Sequence, residues 1–263
     1  MVIKNISPLR YPGGKTRACK QLDDILNENF NISSFKNFVS PFFGGGSFEF
    51  HIQNKYNLKI IANDKFTPLY NFWNTCKSNN DLLCQELYKH IGNVDKTDFT
   101  NFRKNIMNEN NVMNQSIMYF IINRCSFSGA TLSGGFSLES SKKRFTKSSI
   151  DRVNQLELTD FEIYNFDFEE FINKNISTNN LLFLDPPYYL EKDSKLYGNK
   201  GDMHESFEHN KLYNCLATRE NWFMTYNNCE YIKNLYKDFK IIETSWSYGM
   251  NKSKKSSEIV IIG

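Results

Sequence analysis

Apolar residues cluster along the chain in short strand-like segments, separated by longer stretches in which they recur at helical spacing. The segments cover residues 37–40, 58–62, 161–165, 181–184, 222–225, 241–245 and 258–262. An uninterrupted run such as Leu181-Leu182-Phe183-Leu184 reads as a strand buried on both faces. Seven strand-like segments alternating with helical stretches predict a mostly parallel α/β sheet. Residues 63–160 separate the second and third strands, far more than one crossover helix needs. Within that interval 79–91 and 115–123 read as helices, and the Ser/Gly-rich 126–141 reads as a hairpin or ordered loop. The spacing predicts an inserted, mainly helical subdomain at 75–155, with 1–74 and 156–263 forming the sheet domain. The polar stretch 191–208, with Gly198 and Gly201, reads equally as a lid or as a solvated loop.

Composition bounds the class. Of 263 residues 40% are hydrophobic and 15% aromatic, enough for a packed core and unlike a disordered chain. The net charge is only +3, so a nucleic-acid surface has to come from local clustering. Lys142, Lys143, Arg144, Lys147 and Arg152, against Asp151 alone, form such a cluster. It is either a solvated face or a grip on phosphates. Lys252, Lys254 and Lys255 make a second basic segment. No apolar run is long enough to span a bilayer, and residues 1–8 lack a signal-peptide core, so a cytoplasmic protein is expected. Six cysteines without Cys-x-x-Cys spacing and four histidines without a His-Glu-x-x-His pattern predict reduced thiols and no metal.

The densest chemistry is at 182–189, Leu-Phe-Leu-Asp-Pro-Pro-Tyr-Tyr. Asp185 stands where a buried strand ends, the place where open α/β sheets bind ligands. Pro186 and Pro187 stop the strand and stiffen the turn. Tyr188 sets a flat ring beside the carboxylate. An acid, a rigid turn with a free carbonyl and a ring suit the grip of a planar base by its amino group. After the first strand comes Pro41-Phe42-Phe43-Gly44-Gly45-Gly46-Ser47, a glycine turn with Ser47 placed to cap the next helix. Asp64, at the end of the second strand, is either a ligand for two ribose hydroxyls or an ordinary solvated acid. Leu9-Arg10-Tyr11-Pro12-Gly13-Gly14-Lys15-Thr16 lacks the first glycine and the preceding strand of a P-loop, which excludes that reading. Lys15 instead offers an ammonium for a carboxylate, and Tyr11 a ring for a cation. Asp167, beside Phe168, is either an acceptor for an adenine amine or a helix cap.

In this order, Tyr-Pro-Gly-Gly-Lys, Pro-Phe-x-Gly-Gly-Gly, Asn-Asp, insertion, Asp-Pro-Pro-Tyr, the chain resembles the Dam-like (D12 class) N6-adenine DNA methyltransferases over nearly its whole length. The resemblance implies a Rossmann-like class I methyltransferase fold and S-adenosyl-L-methionine as methyl donor, leaving S-adenosyl-L-homocysteine, with no metal. It implies double-stranded DNA as partner, action as a monomer or weak dimer, and no membrane; it leaves a cognate restriction endonuclease open. Tyr11, Lys15, Phe42, Gly44, Gly45, Gly46, Ser47, Asp64, Asp167, Phe168 and Asp185 would hold the cofactor. Asp185, Pro186, Pro187 and Tyr188 would be the catalytic motif, and the insertion the target-recognition domain. Asn123-Arg124-Cys125-Ser126-Phe127-Ser128-Gly129 is similar to a family segment in which Arg124 and Ser128 would contact phosphate and Phe127 would wedge into the base stack. Residues 247–262 resemble the family's last hairpin near the target base. Two departures stand out. Ser40 replaces the family's usual acid before Pro-Phe, and Leu132 lies nearest to an arginine that reads guanine, which argues against GATC recognition.

A cytosine-C5 enzyme needs a cysteine nucleophile after proline, and no Pro-Cys pair occurs. Two other classes remain: methylation of RNA adenine or protein glutamine, and a DNA-binding specificity partner without turnover.

Overall fold

The computed structural model of the chain describes residues 5–189, 207–246 and 257–263. Strands β1 (Asn37–Ser40), β2 (Lys59–Asn63), β3 (Phe161–Tyr164), β4 (Asn180–Leu184), β5 (Trp222–Asn227), β6 (Lys240–Thr244) and β7 (Glu258–Ile262) form one sheet in the order β3-β2-β1-β4-β5-β7-β6. All seven match the predicted runs to within two residues at their ends. The first five are parallel, and β7 enters antiparallel between β5 and β6. This is the α/β, Rossmann-like, mostly parallel sheet that the apolar runs predict.

Alternation within the strands explains why both faces are covered. Phe38, Leu181, Phe183, Phe223 and Val260 point to one face, and Val39, Leu182, Leu184, Trp222, Met224, Ile259 and Ile261 to the other. Edge strand β6 is exposed and carries Lys240 and Glu243, charges that discourage further strand pairing.

The described helices are α1 (Cys19–Asn29), α2 (Ser47–Tyr56), α3 (Thr67–Ser78), α4 (Asn80–Lys89), α5 (Lys96–Asn105), α6 (Val112–Cys125), α7 (Leu138–Lys143), α8 (Lys147–Asn154), α9 (Phe168–Lys174), α10 (His209–Leu216) and α11 (Glu230–Leu235). Residues of α1 and α2 pack on the Phe38 face, and α9, α10 and α11 on the Val39 face. Helix α6 carries apolar residues around most of its circumference and is buried from Tyr119 to Cys125, Asn123 and Arg124 included. It is the centre of a cluster that joins Leu83, Leu87, Phe99 and Ile150 to Phe43, Ile60 and Phe161 at the sheet.

One expectation needs correction, and one open alternative is decided. Residue 75, placed at the start of the insertion, lies inside α3, which packs on the sheet through Leu69, Phe72 and Trp73. Segment 126–141, left open between a hairpin and an ordered loop, is a loop with a short 3-10 turn and an isolated bridge between Ser126 and Phe136, running into α7. The lid reading of 191–206, the lysines at 252–255 and the hairpin reading of 247–256 fall outside the described residues.

Candidate active site

Strands β1 and β4 are parallel neighbours, and the chain leaves them toward opposite sides of the sheet. Open α/β sheets form their ligand crevice at such a switch point. The glycine turn leaves the end of β1 there, and Asp185 leaves the end of β4.

The turn is fixed by close packing. Gly44 and Gly46 have φ of 52° and 65°, a region that side chains resist. A Cβ at Gly44 would lie 2.8 Å from the Tyr11 ring, and one at Gly45 2.9 Å from Tyr11 Cβ, so Tyr11 rests directly on the turn. Trp73 Nε1 donates to the Gly44 carbonyl at 3.0 Å. Asp64 is buried below. It accepts the Gly44 N–H at 3.0 Å and the Phe66 N–H at 2.9 Å, one on each carboxylate oxygen. Burial pushes its pKa up to about 6 despite those two bonds. Ser47 is not the cap that the sequence suggested. Gly46 occupies that position, and Ser47 begins α2 with its Oγ accepting from Thr16.

Phe42, Phe168 and Phe207 close a triangle of rings with centroids 5.7, 5.6 and 5.4 Å apart. Asp167 beside them takes the cap alternative: it accepts from Glu169 N–H at 3.2 Å and pairs with Lys65 at 2.8 Å.

Asp185 is the hub. Lys15, itself buried, donates to its two oxygens at 2.7 and 2.8 Å and to the Gly13 carbonyl at 3.1 Å. Thr225 Oγ1 donates to Asp185 Oδ1 at 2.6 Å. Oδ2 therefore keeps a lone pair for a further donor. Tyr188 follows, its hydroxyl bonded to Glu258 Oε2 at 2.5 Å and its ring 5.8 Å from that of Tyr226. Sequence reading paired Lys15 with a ligand carboxylate; the structure pairs it with Asp185.

A second carboxyl was not foreseen. Glu49 lies in α2 between Phe48 and Phe50, whose rings enter different core clusters, so the helix is walled in on both sides. Its Oε1 accepts from Ser40 Oγ at 2.7 Å. Burial pushes its pKa up to about 8, against the Ser40 hydrogen bond, and Asp185 adds to the rise. The folded state thus holds this proton more tightly than the unfolded chain. Folding loses stability as pH rises from about 4.5 to about 8 and is level above. Glu49→Gln removes that penalty. Thermal melts should show its advantage over the parent growing across this window and constant beyond it.

The insertion side brings corrections. Arg124 does not face solvent: it is buried, donating from Nε to the Arg144 carbonyl at 2.7 Å and from Nη1 to the Pro8 carbonyl at 3.1 Å. It staples the N-terminal segment to the insertion. Burial, with Arg10, Arg152 and Arg144 nearby, pulls its pKa down to about 10. Lys143 pairs with Glu139 and Lys147 with Asp151 along their helices, while Lys142, Arg144 and Arg152 are exposed. Phe127 is 64% exposed at the tip of its turn. Ser128 lies in that turn, its side chain outside the described part. Leu132 is buried in the insertion core, with no edge to offer a base.

Thr225, Glu258, Glu49 and Phe207 were missed. For Glu49 a signal existed, since an acid flanked by two phenylalanines in a helix cannot lie on a clean polar face. No helix among the described residues is long and apolar enough to cross a membrane.

Comparison with known proteins identifies the family. The family model of the D12 class N6 adenine-specific DNA methyltransferases matches residues 11–250. The type II methyltransferase M.MjaIII of Methanocaldococcus jannaschii is 24% identical over 258 residues, covering 89% of this chain and 88% of its own. The type II methyltransferase M.CviBI of Paramecium bursaria Chlorella virus NC1A is 25% identical over 238 residues, covering 88% and 86%. The modification methylase StsI of Streptococcus sanguinis is 24% identical over 206 residues, covering 74% of this chain and 30% of its own.

Proposed function

The chain belongs to the D12 class of N6 adenine-specific DNA methyltransferases, and on that premise we propose that it methylates the N6 amine of an adenine turned out of duplex DNA. The observation that carries this reading is Asp185 at the switch point, with an open lone pair, Lys15 and Thr225 behind it, and the Tyr188 ring beside it.

S-adenosyl-L-methionine supplies a methyl on a sulfonium, a good leaving group. The residues present fit such a donor. Asp64 offers a lone pair on each oxygen to ribose hydroxyls, the Phe42, Phe168 and Phe207 rings offer an apolar slot for a purine, and Tyr11 lies on Gly44 and Gly45 with Lys15 beside Asp185.

An adenine amine is a weak nucleophile because its lone pair is delocalised into the ring. Asp185 Oδ2 accepts one N–H and the Pro186 carbonyl the other. Both bonds favour the pyramidal, cationic nitrogen that develops during attack, so they stabilise the transition state more than the substrate. The Tyr188 ring supports the extruded base. Pro187 keeps this turn rigid. Phe127 fills the gap the base leaves, and Lys142, Arg144 and Arg152 hold backbone phosphates.

Transfer of label from methyl-tritiated S-adenosylmethionine to duplex DNA tests the reading. Label that enters only RNA or protein refutes it. Two further outcomes follow. Phe127→Ala should cut kcat/KM for duplex DNA roughly tenfold while melting within about 0.5 kcal/mol of the parent, because the side chain is exposed. Ribose hydroxyls donate to an ionised Asp64, so cofactor affinity should be level above pH about 6 and fall with acidification below it. Calorimetric titration across pH 5–8, with Asp64→Asn as the pH-insensitive control, reads this directly.

A further inference from the structure

The Asp-Pro-Pro-Tyr-Tyr turn is held from behind by two adjacent strands. Thr225 and Asn227 lie two residues apart on β5 and so face the same way. Thr225 bonds the Asp185 carboxylate at 2.6 Å, and Asn227 Nδ2 donates to the Tyr189 carbonyl at 2.9 Å. Directly opposite Asn227, in antiparallel register, stands Glu258, the first residue of β7. Its carboxylate takes the Tyr188 hydroxyl at 2.5 Å.

Glu258 is 1% exposed, an expensive place for a carboxylate. The strand does not need it for pairing, since its backbone carries the ladder. A bond from a phenol to a carboxylate is among the stronger neutral-to-ion hydrogen bonds. It fixes the second of the two torsional ends of Tyr188, the first being set by the proline turn. On one side the ring meets Tyr226 at an interplanar angle of 29°, and Tyr226 is itself bonded to His209. The Lys15 ammonium lies 5.2 Å from the ring centroid. Turning the ring would break this buried hydrogen bond.

From this we infer that Glu258 is a positioning residue: through the Tyr188 hydroxyl it locks the ring in the orientation that receives the flat target base, making the reversed C-terminal strand part of the base pocket. The inference rests on the functional reading above for the identity of the base, though not for the brace itself. Glu258 touches neither base nor methyl donor in this account. Its effect is to remove the reorientation that a loose ring would need at each turnover.

The test is a mutant cycle on the full chain with Glu258→Ala, Glu258→Gln, Tyr188→Phe and the Tyr188→Phe/Glu258→Ala pair. Glu258→Ala and Tyr188→Phe should each lower kcat on duplex DNA roughly 10- to 100-fold while cofactor affinity stays within about twofold. The pair should be no worse than either alone, because both break the same bond. Glu258→Gln keeps a carbonyl acceptor for the phenol and should recover most of the loss. Independent effects that multiply in the pair, or a Glu258→Ala enzyme with parental kcat, would overturn the assignment. A readout without turnover guards against a folding artefact. With 3-fluorotyrosine placed at position 188 alone, the fluorine resonance should shift and broaden in Glu258→Ala and return toward the parent in Glu258→Gln. An unchanged resonance refutes the brace. A parent chain that methylates no DNA refutes the functional reading instead and leaves the fluorine result to decide on Glu258.

Discussion

Asp185→Ala should lower methyl transfer at least about a thousandfold, since it removes the acceptor that shapes the reacting nitrogen. Cofactor affinity should hold or improve. Lys15 now spends its ammonium on the two Asp185 oxygens, and the substitution releases it toward the carboxylate of the methyl donor. That opposite movement of kcat and cofactor Kd separates loss of chemistry from loss of the pocket. A variant that fails at both in proportion has simply lost its structure. Asp185→Asn serves as the fold control, because it keeps the shape and the Thr225 contact while removing the charge. It should fall nearly as far in kcat and melt closer to the parent.

Lys15→Met is the second large effect, and it acts on two levels. Lys15 is buried at the switch point, and the Asp185 side chain is 22% exposed, so the pair is mostly but not wholly desolvated. Removing one partner of a buried ion pair costs about 3–5 kcal/mol; the partial access of Asp185 to water puts this case at the lower end, about 3 kcal/mol. Methyl transfer should fall at least about a hundredfold, because both Asp185 and the donor's carboxylate lose their cation. Lys15→Arg should not rescue it, since a planar fork cannot replace a point charge that reaches three oxygens around one atom. Chemical denaturation of Lys15→Met, Asp185→Asn and the pair together reads the coupling. The double variant should lose clearly less stability than the two singles summed. Additive losses would mean the ion pair contributes nothing as a pair.

These effects concentrate on residues whose local sequence announced them. Asp185 was legible because an apolar run ends at it and two prolines follow. Most of the seven strands were legible as short apolar stretches ending at polar or turn residues, although the equally apolar run 117–122 lies in a helix. Less was legible where long-range pairing decides. Nothing local in Glu258-Ile-Val-Ile-Ile says that the strand runs against its neighbours, or that its first residue meets Tyr188 across 70 positions of chain. Arg124 misled for a related reason. The family resemblance of segment 123–129 implied a phosphate contact, yet two backbone carbonyls from distant segments take its guanidinium inside. Ser40 and Glu49 show the reverse case. An absent acid at one position is accompanied by a buried acid nine residues on, within 2.7 Å of the serine hydroxyl. The strand–turn–helix fold brings the two together, and the linear pattern hides it.

Glu49, held by Ser40, also adds a third titratable group near the Lys15–Asp185 pair, one that burial keeps protonated up to pH about 8. This makes the stability of the fold sensitive to pH in the neutral range, where most carboxyls are silent.

The pocket assigned to Asp185, Pro186 and Tyr188 is best tested by the identity of the base it modifies. Duplex DNA of mixed sequence, incubated with the protein and S-adenosylmethionine, digested to nucleosides and resolved by mass spectrometry, should contain N6-methyldeoxyadenosine as its new product, and strand sequencing should place it at one recurring site. Methylated deoxycytidine in its place, or N6-methyldeoxyadenosine formed at an undiminished rate by Asp185→Ala, would contradict the account.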